Sequence, residues 1–313
     1  MSIRIGIGTG LVPPLGAEAF FRWVDLCEDS GIDSLWVSDQ IIGPNPEPLS
    51  MLGAMAARTR RLRLGTNVLV IPFREPVLLA KQIATLDWLA DGRLLPAFGV
   101  GNATDPLWAS TGRDPALRGR QADEAITLFR QLLEQNEVQF AGEFFRYEGA
   151  GVHPRRSACP PIWTGGDSPA AIRRSARLSD GWLGGLSTPE KAGQTIAAIK
   201  AALMEIGRRI DPDHYGITMP LRIGHDDDPA VMAARERFTQ RIAEPDRSAA
   251  MAGFAVGSPD HIITLIRAYI AQGVQKFVAL PMAQDTDDLM AQTRLIVEKI
   301  LPAVENRGLQ AVS

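Results

Sequence analysis

The chain has 313 residues, of which 45% are hydrophobic, and its formal net charge at pH 7 is −3. This length and composition suit a globular protein with a sizeable core and exclude an intrinsically disordered chain. The charge is nearly balanced and forms no block of one sign, so neither a nucleic acid nor a membrane surface is expected as a partner.

The amino terminus and the cysteines predict a cytoplasmic protein. The first residues lack the cationic start, apolar stretch and cleavage site of a secretory signal, and no apolar run is long enough to span a bilayer. Cys27 and Cys159 are isolated and belong to no CxxC motif. Cys27 lies on the apolar side of the first predicted helix, where a core role is favoured over a nucleophilic one.

Eight strand patterns alternate with helix patterns along the chain. Strands are predicted at residues 3–8, 34–38, 64–70, 94–99, 161–164, 181–185, 216–223 and 276–280. Helices are predicted at residues 17–30, 49–59, 76–89, 120–135, 169–178, 189–209, 259–272 and 285–306. This alternation predicts an α/β fold, a (β/α)8 TIM barrel, for which about 250 residues suffice.

Two stretches exceed the length that such a barrel needs. Residues 139–156, after the fourth helix, are rich in glycine and aromatic side chains and are predicted as a hairpin or long loop. Residues 225–256, after the seventh strand, form a polar excursion in which Asp228 and Pro229 are suited to start a helix. Since no linker or short repeat interrupts the chain, residues 1–313 are predicted to form one domain.

The segment at residues 62–102 is the most informative, because it reads as a strand, a helix and a second strand. Pro76 occupies the favoured first position of the helix. Small residues follow the two strands, in the sequences Gly65-Thr66-Asn67 and Gly99-Val100-Gly101-Asn102. They let a flat ligand approach the backbone at the carboxyl ends of the strands, where parallel-sheet enzymes bind their ligands.

A second ligand signal follows the fifth strand, in Gly165-Gly166-Asp167-Ser168-Pro169. Pro169 opens a helix there, and either Asp167 or Ser168 is available as its cap. The unpaired N–H groups and the positive dipole at a helix start suit a phosphate, although a capped helix with nothing bound is an equal alternative. Together with the glycine-rich rim, the junction predicts a flat ring that carries a phosphate.

Other chemistries that barrels support are disfavoured. A Schiff-base enzyme needs a lysine at the carboxyl rim, but four of the five lysines fall on predicted helices and Lys276 enters its strand from the amino end. Of the four histidines only His225 lies near a carboxyl strand end, in a segment better explained as a solvated loop, so no metal site is predicted. The glycines of residues 6–10 do not lead directly into a helix, as a dinucleotide fingerprint requires.

Several motifs occur in an order and spacing that together are specific. They are Leu64-Gly65-Thr66-Asn67-Val68-Leu69, Pro72-Phe73-Arg74-Glu75-Pro76, Gly99-Val100-Gly101, Pro161-Ile162-Trp163-Thr164-Gly165-Gly166, Asp180-Gly181-Trp182 and Val256-Gly257-Ser258-Pro259. In these motifs the chain resembles, over nearly its whole length, the bacterial luciferase-like monooxygenases. That superfamily consists of (β/α)8 barrels that use reduced FMN or the deazaflavin coenzyme F420.

The resemblance implies roles for particular residues. Family members commonly have a non-proline cis peptide bond under the flavin ring, and the matching bond is Asn67-Val68. The cofactor phosphate in relatives lies on glycines that match Gly165 and Gly166, next to the cap candidates Asp167 and Ser168. The ring contacts that the resemblance implies are Asp39, Thr66, Asn67, Val68, Gly101 and Asn102.

Two departures from the family pattern affect proton transfer. Better-known deazaflavin dehydrogenases of the family carry a histidine where this chain has Gln40, and a glutamate where it has Thr104. An amide cannot act as an acid or base at neutral pH, so the resemblance favours a two-component monooxygenase. In that interpretation a separate reductase or NAD(P)H supplies reduced FMN, and dioxygen reacts with a small organic substrate.

Alternatives to this interpretation stay open. A deazaflavin-dependent oxidoreductase would transfer a hydride without oxygen, and a non-catalytic flavin-binding protein would show no turnover. The sequence assigns neither a catalytic residue nor a substrate. Relatives are often dimers through helices two and three, and the apolar residues there permit either a homodimer or packing on the barrel. These residues are Met51, Leu52, Met55 and Ala56.

Overall fold

The computed structural model describes residues 3–240, 251 and 253–304. The strands are β1 (Arg4–Gly8), β2 (Ser34–Val37), β3 (Arg63–Thr66), β4 (Leu69–Val70), β5 (Leu94–Leu95), β6 (Ala97–Gly99), β7 (Glu137–Ala141), β8 (Arg146–Ala150), β9 (Trp163–Thr164), β10 (Gly181–Gly184), β11 (Tyr215–Ile223), β12 (Ala255–Gly257) and β13 (Lys276–Pro281). The α-helices are α1 (Ala17–Glu28), α2 (Pro48–Arg58), α3 (Pro76–Leu89), α4 (Leu107–Ser110), α5 (Arg118–Glu134), α6 (Pro169–Leu178), α7 (Pro189–Glu205), α8 (Pro229–Thr239), α9 (Pro259–Ala271), α10 (Thr286–Leu295) and α11 (Leu301–Val304). A π-helical turn, Ile296–Ile300, connects the last two.

The parallel strands form one curled sheet. Its order is β4-β6-β9-β10-β11-β13-β1-β2-β3-β5, and β12 pairs with β11. The strand order begins with β4 and ends with β5. At one end β4 pairs with β6, and at the other β3 pairs with β5. Since β3 and β4 follow each other in the chain, as β5 and β6 do, the two ends of the sheet are formed by neighbouring stretches of chain. The predicted α/β class with a parallel sheet is therefore confirmed, and each of the eight predicted strands corresponds to a strand or to a pair of shorter ones.

Local structure departs from the predicted strands at three places. The strand predicted at residues 64–70 is interrupted by a cis peptide bond between Asn67 and Val68, and the one at residues 94–99 is interrupted at Pro96, which has no N–H for the ladder. The excursion predicted as polar contains β12, a short buried strand. Part of that excursion, residues 241–250 and 252, lies outside the described residues, whereas residues 137–150 form the antiparallel β7–β8 hairpin.

Six helices start in the same way, with a proline in the first turn and a capping side chain just before it. The caps are Glu47, Glu75, Ser168, Thr188, Asp228 and Ser258, before α2, α3, α6, α7, α8 and α9. The prediction that Asp228 caps a helix opened by Pro229 is confirmed. For α6 the cap is Ser168, whose hydroxyl accepts a hydrogen bond from the Ala171 N–H.

The core occupies both faces of the sheet. The strands β2, β10 and β13 are buried along their whole length, as expected for a parallel sheet covered on both sides. Inside the curl, the rings of Trp36 and Trp163 meet edge to face with centroids 6.2 Å apart. In the described part of the chain no helix combines the length and apolar character that a membrane span requires.

The amino ends of the strands carry a buried ion pair. Lys276, at the start of β13, donates a hydrogen bond to Asp33, just before β2, and Arg4 lies 3.6 Å from the same carboxylate. Burial opposes ionisation of Asp33, but the charge and hydrogen bond of Lys276 outweigh it and hold the pKa of Asp33 below its ordinary value. This end of the sheet is a stability element, and Lys276 is remote from the carboxyl rim as predicted.

Candidate active-site cleft

The carboxyl ends of the strands surround a cavity of about 530 Å³. Its wall is built from the segments that follow β1, β2 and β10, from β11 and β13, and from α8. A second, mainly apolar cavity of about 200 Å³ shares Val12, Pro44 and Asn45 with the first. A cleft of this size, at the end of a parallel sheet where enzymes bind their ligands, is the candidate active site.

Asp39, two residues after the end of β2, is a buried carboxylate with one oxygen that has no partner among the described residues. Its side chain is 1% exposed. Its Oδ2 accepts hydrogen bonds from the Val70 N–H at 2.9 Å and from Arg74 at 3.0 Å, whereas Oδ1 has no partner among the described residues. Burial raises the pKa of Asp39, and the two donors offset this only in part. A buried acceptor without a partner is costly unless a ligand or water satisfies it, so Asp39 remains a candidate ligand contact.

Asn67 and Val68 lie between β3 and β4 at the same rim. The bond that joins them is cis, as the resemblance implies. Asn67 Oδ1 accepts a hydrogen bond of 3.0 Å from the hydroxyl of Thr218, which lines the cavity from β11. A Cβ placed on Gly99 would lie 2.5 Å from Val68 Cγ2, so the Val68 side chain packs directly on the end of β6. Through these contacts Val68 packs on the end of β6 and Asn67 is hydrogen-bonded to β11, so the segment between β3 and β4 connects these two strands at the rim.

Thr66 has a structural task. Its side chain is fully buried, and its hydroxyl both donates to the Ala97 carbonyl at 2.7 Å and accepts from the Ala97 N–H at 2.8 Å. These bonds join β3 to β6 at the point where each strand is interrupted. The hydroxyl is therefore already satisfied within the fold, unlike the carboxylate of Asp39.

Gly101 and Asn102 form a turn that Trp108 holds in place. Gly101 has a φ of +75°, a conformation that favours glycine. The indole N–H of Trp108 donates to the Asn102 carbonyl at 2.7 Å, and the ring centroids of Trp108 and Phe73 are 4.2 Å apart. The Asn102 amide oxygen accepts hydrogen bonds from Thr104. Both predicted ligand residues thus lie in a braced turn at the rim.

The two glycines after β9 permit a close approach to the backbone. A Cβ on Gly165 would lie 2.4 Å from the Leu183 carbonyl oxygen, and Gly166 has a φ of +96°. The indole N–H of Trp182 donates to the Gly166 carbonyl at 2.9 Å and fixes the turn from β10. A side chain at Gly165 would displace backbone, and one at Gly166 would place its Cβ 2.9 Å from Ala171 Cβ. The two glycines therefore keep the backbone of this junction, here called the cradle, free of side chains.

Two helix starts meet beside this cradle. Ser168 caps α6 and Thr188 caps α7, each accepting one N–H of the first turn, and the positive dipole ends of both helices lie at this rim. Lys191, in the first turn of α7, lies 3.7 Å from the Asp167 carboxylate, and both residues line a small cavity of about 160 Å³. Because Asp167 already contacts Lys191 and carries a negative charge, Lys191 is the better phosphate ligand of the two.

These residues fit a flat ring with a phosphate tail. The cradle and Lys191 offer positive potential to the phosphate, and the rim near Asp39, Asn67 and Gly101 offers polar atoms and small residues to the ring. The small cavity at Lys191 and the large cavity share Leu186, so the two parts adjoin. In the described residues, no group of three or more histidine, cysteine, aspartate or glutamate side chains is placed to hold a metal ion.

An acid–base pair is absent from the described wall of the large cavity. Gln40 lines it and accepts a hydrogen bond from the Asn45 amide at 3.0 Å. Thr104 bonds to Asn102, and the Asp105 carboxylate accepts from the Leu107 N–H at the start of α4. Asp39, which follows β2 at this rim, is a buried titratable group but is not among the residues that line the cavity.

Residues 2–276 match the family model described as luciferase-like monooxygenase. The chain belongs to this family. An F420-dependent glucose-6-phosphate dehydrogenase from Amycolatopsis mediterranei is 26% identical, over 94% of this chain and 96% of the relative. A 5,10-methylenetetrahydromethanopterin reductase from Archaeoglobus fulgidus is 31% identical, over 73% of this chain and 67% of that protein. Both relatives are oxidoreductases by name.

Solved structures with this fold include different chemistries. Monooxygenase RslO1 from Streptomyces bottropensis has a TM-score of 0.83 at 23% identity, covering 96% of this chain and 99% of its own. An F420-dependent secondary alcohol dehydrogenase has a TM-score of 0.82 at 20% identity, covering 97% and 100%. A Baeyer–Villiger monooxygenase from Pseudomonas putida in complex with FMN has a TM-score of 0.78 at 17% identity, covering 96% and 99%. Both predicted cofactors occur among these proteins, and the fold alone does not separate them.

Sequence reasoning missed three charged residues of the cleft. Lys191 and Arg237 line its cavities, and Arg74 binds Asp39. Arg74 and Lys191 lie close to helix starts that the sequence predicts. That position near the rim was the only sequence signal that could have identified them as site residues. The apolar residues of α2 that permitted a homodimer are mostly used within the chain, because Leu52 and Met55 are buried in its core. The homodimer stays a prediction without support from them.

Proposed function

We propose that the protein is an F420-dependent oxidoreductase that transfers a hydride to or from a small organic substrate. The observation that carries the choice of F420 is the 26% identity to an F420-dependent dehydrogenase over 94% of the chain. The absence of an acid–base pair from the described cavity wall favours a monooxygenase, but the sequence relatives support the deazaflavin better. We take the curled sheet as the complete (β/α)8 barrel, with residues 139–156 and 225–256 as its insertions.

Each part of the site has a task in this function. Bound F420 would supply two-electron hydride chemistry. The backbone at Gly165 and Gly166, the start of α6 at Ser168 and the ammonium of Lys191 would hold its phosphate. The Asp39 Oδ1, which is buried and has no partner among the described residues, would accept a hydrogen bond from the ring or, when protonated, donate one.

The walls of the cleft would exclude water and orient the substrate. Leu11, Phe238 and Leu280 supply apolar surface on different sides of the large cavity. Gln40 and Thr218 offer neutral hydrogen-bonding groups and cannot take a proton at neutral pH. Because Gln40 and Thr104 replace the histidine and glutamate of sugar-phosphate dehydrogenases, we propose that the substrate is not glucose 6-phosphate.

A two-component FMN monooxygenase is the second candidate. The absence of an acid–base pair in the described cavity wall favours it, since there the reduced flavin and dioxygen perform the difficult step. A separate reductase would then be a partner. Oxygen uptake separates the candidates. A monooxygenase loaded with reduced FMN couples oxygen uptake to substrate oxidation, whereas the deazaflavin enzyme works equally well without oxygen.

Titration of the purified protein tests the proposed function. We expect the fluorescence of F420 to change saturably on binding, and the affinity to be much lower in Gly165→Ala. Saturable F420 binding by the wild-type protein supports the proposed function, and its absence overturns it. If F420 binds and no alcohol, aldehyde or imine changes its redox state, a non-catalytic binding protein is the better description.

A further inference from the structure

Arg237 is the single charged residue among the described residues that line the large cavity. It lies near the end of α8 and is exposed. Within residues 3–240, 251 and 253–304 the guanidinium has no ion-pair or hydrogen-bond partner. An exposed arginine commonly needs no partner, so its position in the cavity wall, rather than its freedom, is the informative feature.

A neighbouring arginine on the same helix provides the contrast. Arg235 donates hydrogen bonds to the Asp226 carboxylate at 2.6 Å and to the Val256 carbonyl at 3.0 Å. These bonds connect α8 to the loop after β11 and to β12, so Arg235 stabilises the fold. Arg237 makes no such connection within the described residues, and it is the guanidinium that lines the cavity.

The remaining wall is mostly apolar. Leu11, Leu186, Phe238, Leu280 and Met282 contribute its larger side chains. Its neutral polar groups, among them Gln40 and Thr218, bond to other protein groups. Such a cavity binds a ligand that is apolar over most of its surface and has one polar end. The charge of that end is set by Arg237, because a guanidinium beside a mostly apolar wall binds an anion through charge-assisted hydrogen bonds.

We infer that Arg237 is a specificity-determining residue, which binds the carboxylate of a substrate with an apolar body. A carboxylate matches a single guanidinium in charge and in its bidentate geometry, whereas a phosphate monoester carries up to about two charges and would be only partly neutralised. The inference rests on the proposed function only in treating the bound anion as the substrate.

Binding to the cofactor-free protein tests this inference without any turnover. We would titrate the protein with octanoate, octanamide and octyl phosphate by calorimetry at pH 7.5. We expect octanoate to bind at least about tenfold more tightly than octanamide, since a hydrogen-bonded charge contributes more than a neutral amide. Octyl phosphate should bind more weakly than octanoate.

Variants assign the effect to one side chain. Arg237→Gln should lose at least about tenfold in octanoate affinity and leave octanamide affinity unchanged. Arg237→Lys, which keeps the charge without the planar fork, should lose less. The matched control is Arg146→Gln, an exposed arginine on the β7–β8 hairpin, which should bind octanoate like the wild-type protein.

Several results of the calorimetry would overturn the role assigned to Arg237. Equal affinity for octanoate and octanamide, no octanoate binding up to millimolar concentration, or an unchanged Arg237→Gln variant would overturn the inference. Tighter binding of octyl phosphate would also overturn it and point to a phosphate ester. Failure of the F420 titration with octanoate binding intact would refute the proposed function alone, because these ligands are measured without cofactor.

Discussion

Asp33 and Asp39 stand at opposite ends of β2, and the structure treats their carboxylates in opposite ways. Asp33, at the amino end, is paired with Lys276, and its pKa is lowered. Asp39, at the carboxyl end, keeps one oxygen without a partner among the described residues, and its pKa is raised by burial. One strand therefore joins a satisfied, stabilising end of the sheet to an unsatisfied end that is prepared for a ligand.

Removal of the charge at the amino end should give the largest effect. Asp33→Asn leaves Lys276 buried without its counter-ion, so we expect a loss of about 3–5 kcal/mol in the free energy of unfolding at pH 7. Because the folded pKa of Asp33 is depressed, its contribution is present above its unfolded pKa and is lost as the pH falls through the folded value. The difference from wild type should narrow as the pH falls below the ordinary pKa of an aspartate.

Urea unfolding at several pH values, with Asp213→Asn as an exposed control, measures this effect. Asp33→Asn should still bind F420 below its unfolding midpoint, because the substitution lies at the opposite end of β2 from the rim. A variant that stays as stable as wild type, or that loses F420 binding while folded, would contradict the assignment of stability to the amino end of β2 and of ligand binding to its carboxyl end.

A change at the cradle should act on binding more than on stability. Gly165→Ala places a Cβ 2.4 Å from the Leu183 carbonyl oxygen, so the backbone must shift at the proposed phosphate site. We expect F420 affinity to fall about a hundredfold, because displaced backbone N–H groups lose hydrogen bonds to the charged phosphate, a loss of about 3 kcal/mol. Fluorescence titration measures the affinity, and thermal unfolding shows whether the variant folds. Gly16→Ala is the control, since a Cβ there meets no atom within 4 Å.

We expect the Asp39 carboxylate to make the free energy of unfolding depend on pH. A raised folded pKa means that the ionised carboxylate destabilises the fold, so stability is highest below the unfolded pKa and declines as the pH rises through the folded value. Asp39→Asn removes that dependence and also weakens the contact with Arg74. We expect a change of about 1 kcal/mol at most, shifting in favour of the variant as the pH rises from 4 to 7. Parallel pH dependences of the two proteins would contradict this account.

The smallest effect is expected at the periphery. Arg120 and Glu143 form an ion pair of 2.6 Å whose side chains are more than half exposed, at 60% and 53%. Glu143→Gln should change the free energy of unfolding by less than about 1 kcal/mol and leave F420 affinity unchanged. A large loss of affinity, measured by the same titration, would mean that Arg120 belongs to the ligand site. The ligand-binding end of the sheet would then extend to the start of α5.

Local patterns predicted much of the fold but less of the site. Pro169 and Pro229 mark helix starts, and the caps before them act on adjacent backbone, so the sequence near each start contains the needed information. The short strand β12 was not predicted, because its three apolar residues become a strand only through pairing with β11. Elements formed by local bonds are readable from one segment, whereas those completed by a distant partner are not.

Side-chain roles at the rim depend on such distant partners. Arg235 and Arg237 stand two residues apart, but only the first reaches Asp226, and nothing in their spacing distinguishes them. Thr66 was expected at the ligand, and the structure shows its hydroxyl bonded on both sides to Ala97, 31 residues later in the chain. The position of a residue at a strand end was predictable, but the group that satisfies its polar atoms was not.

Competition between the two cofactors tests the central claim most directly. The protein would be incubated anaerobically with equal concentrations of F420 and reduced FMN, separated from free ligand, and the bound fraction measured by chromatography. We predict that F420 predominates in the wild-type protein and that Gly165→Ala retains neither cofactor. Predominance of reduced FMN would contradict the proposed function and assign this cleft to an oxygen-dependent reaction.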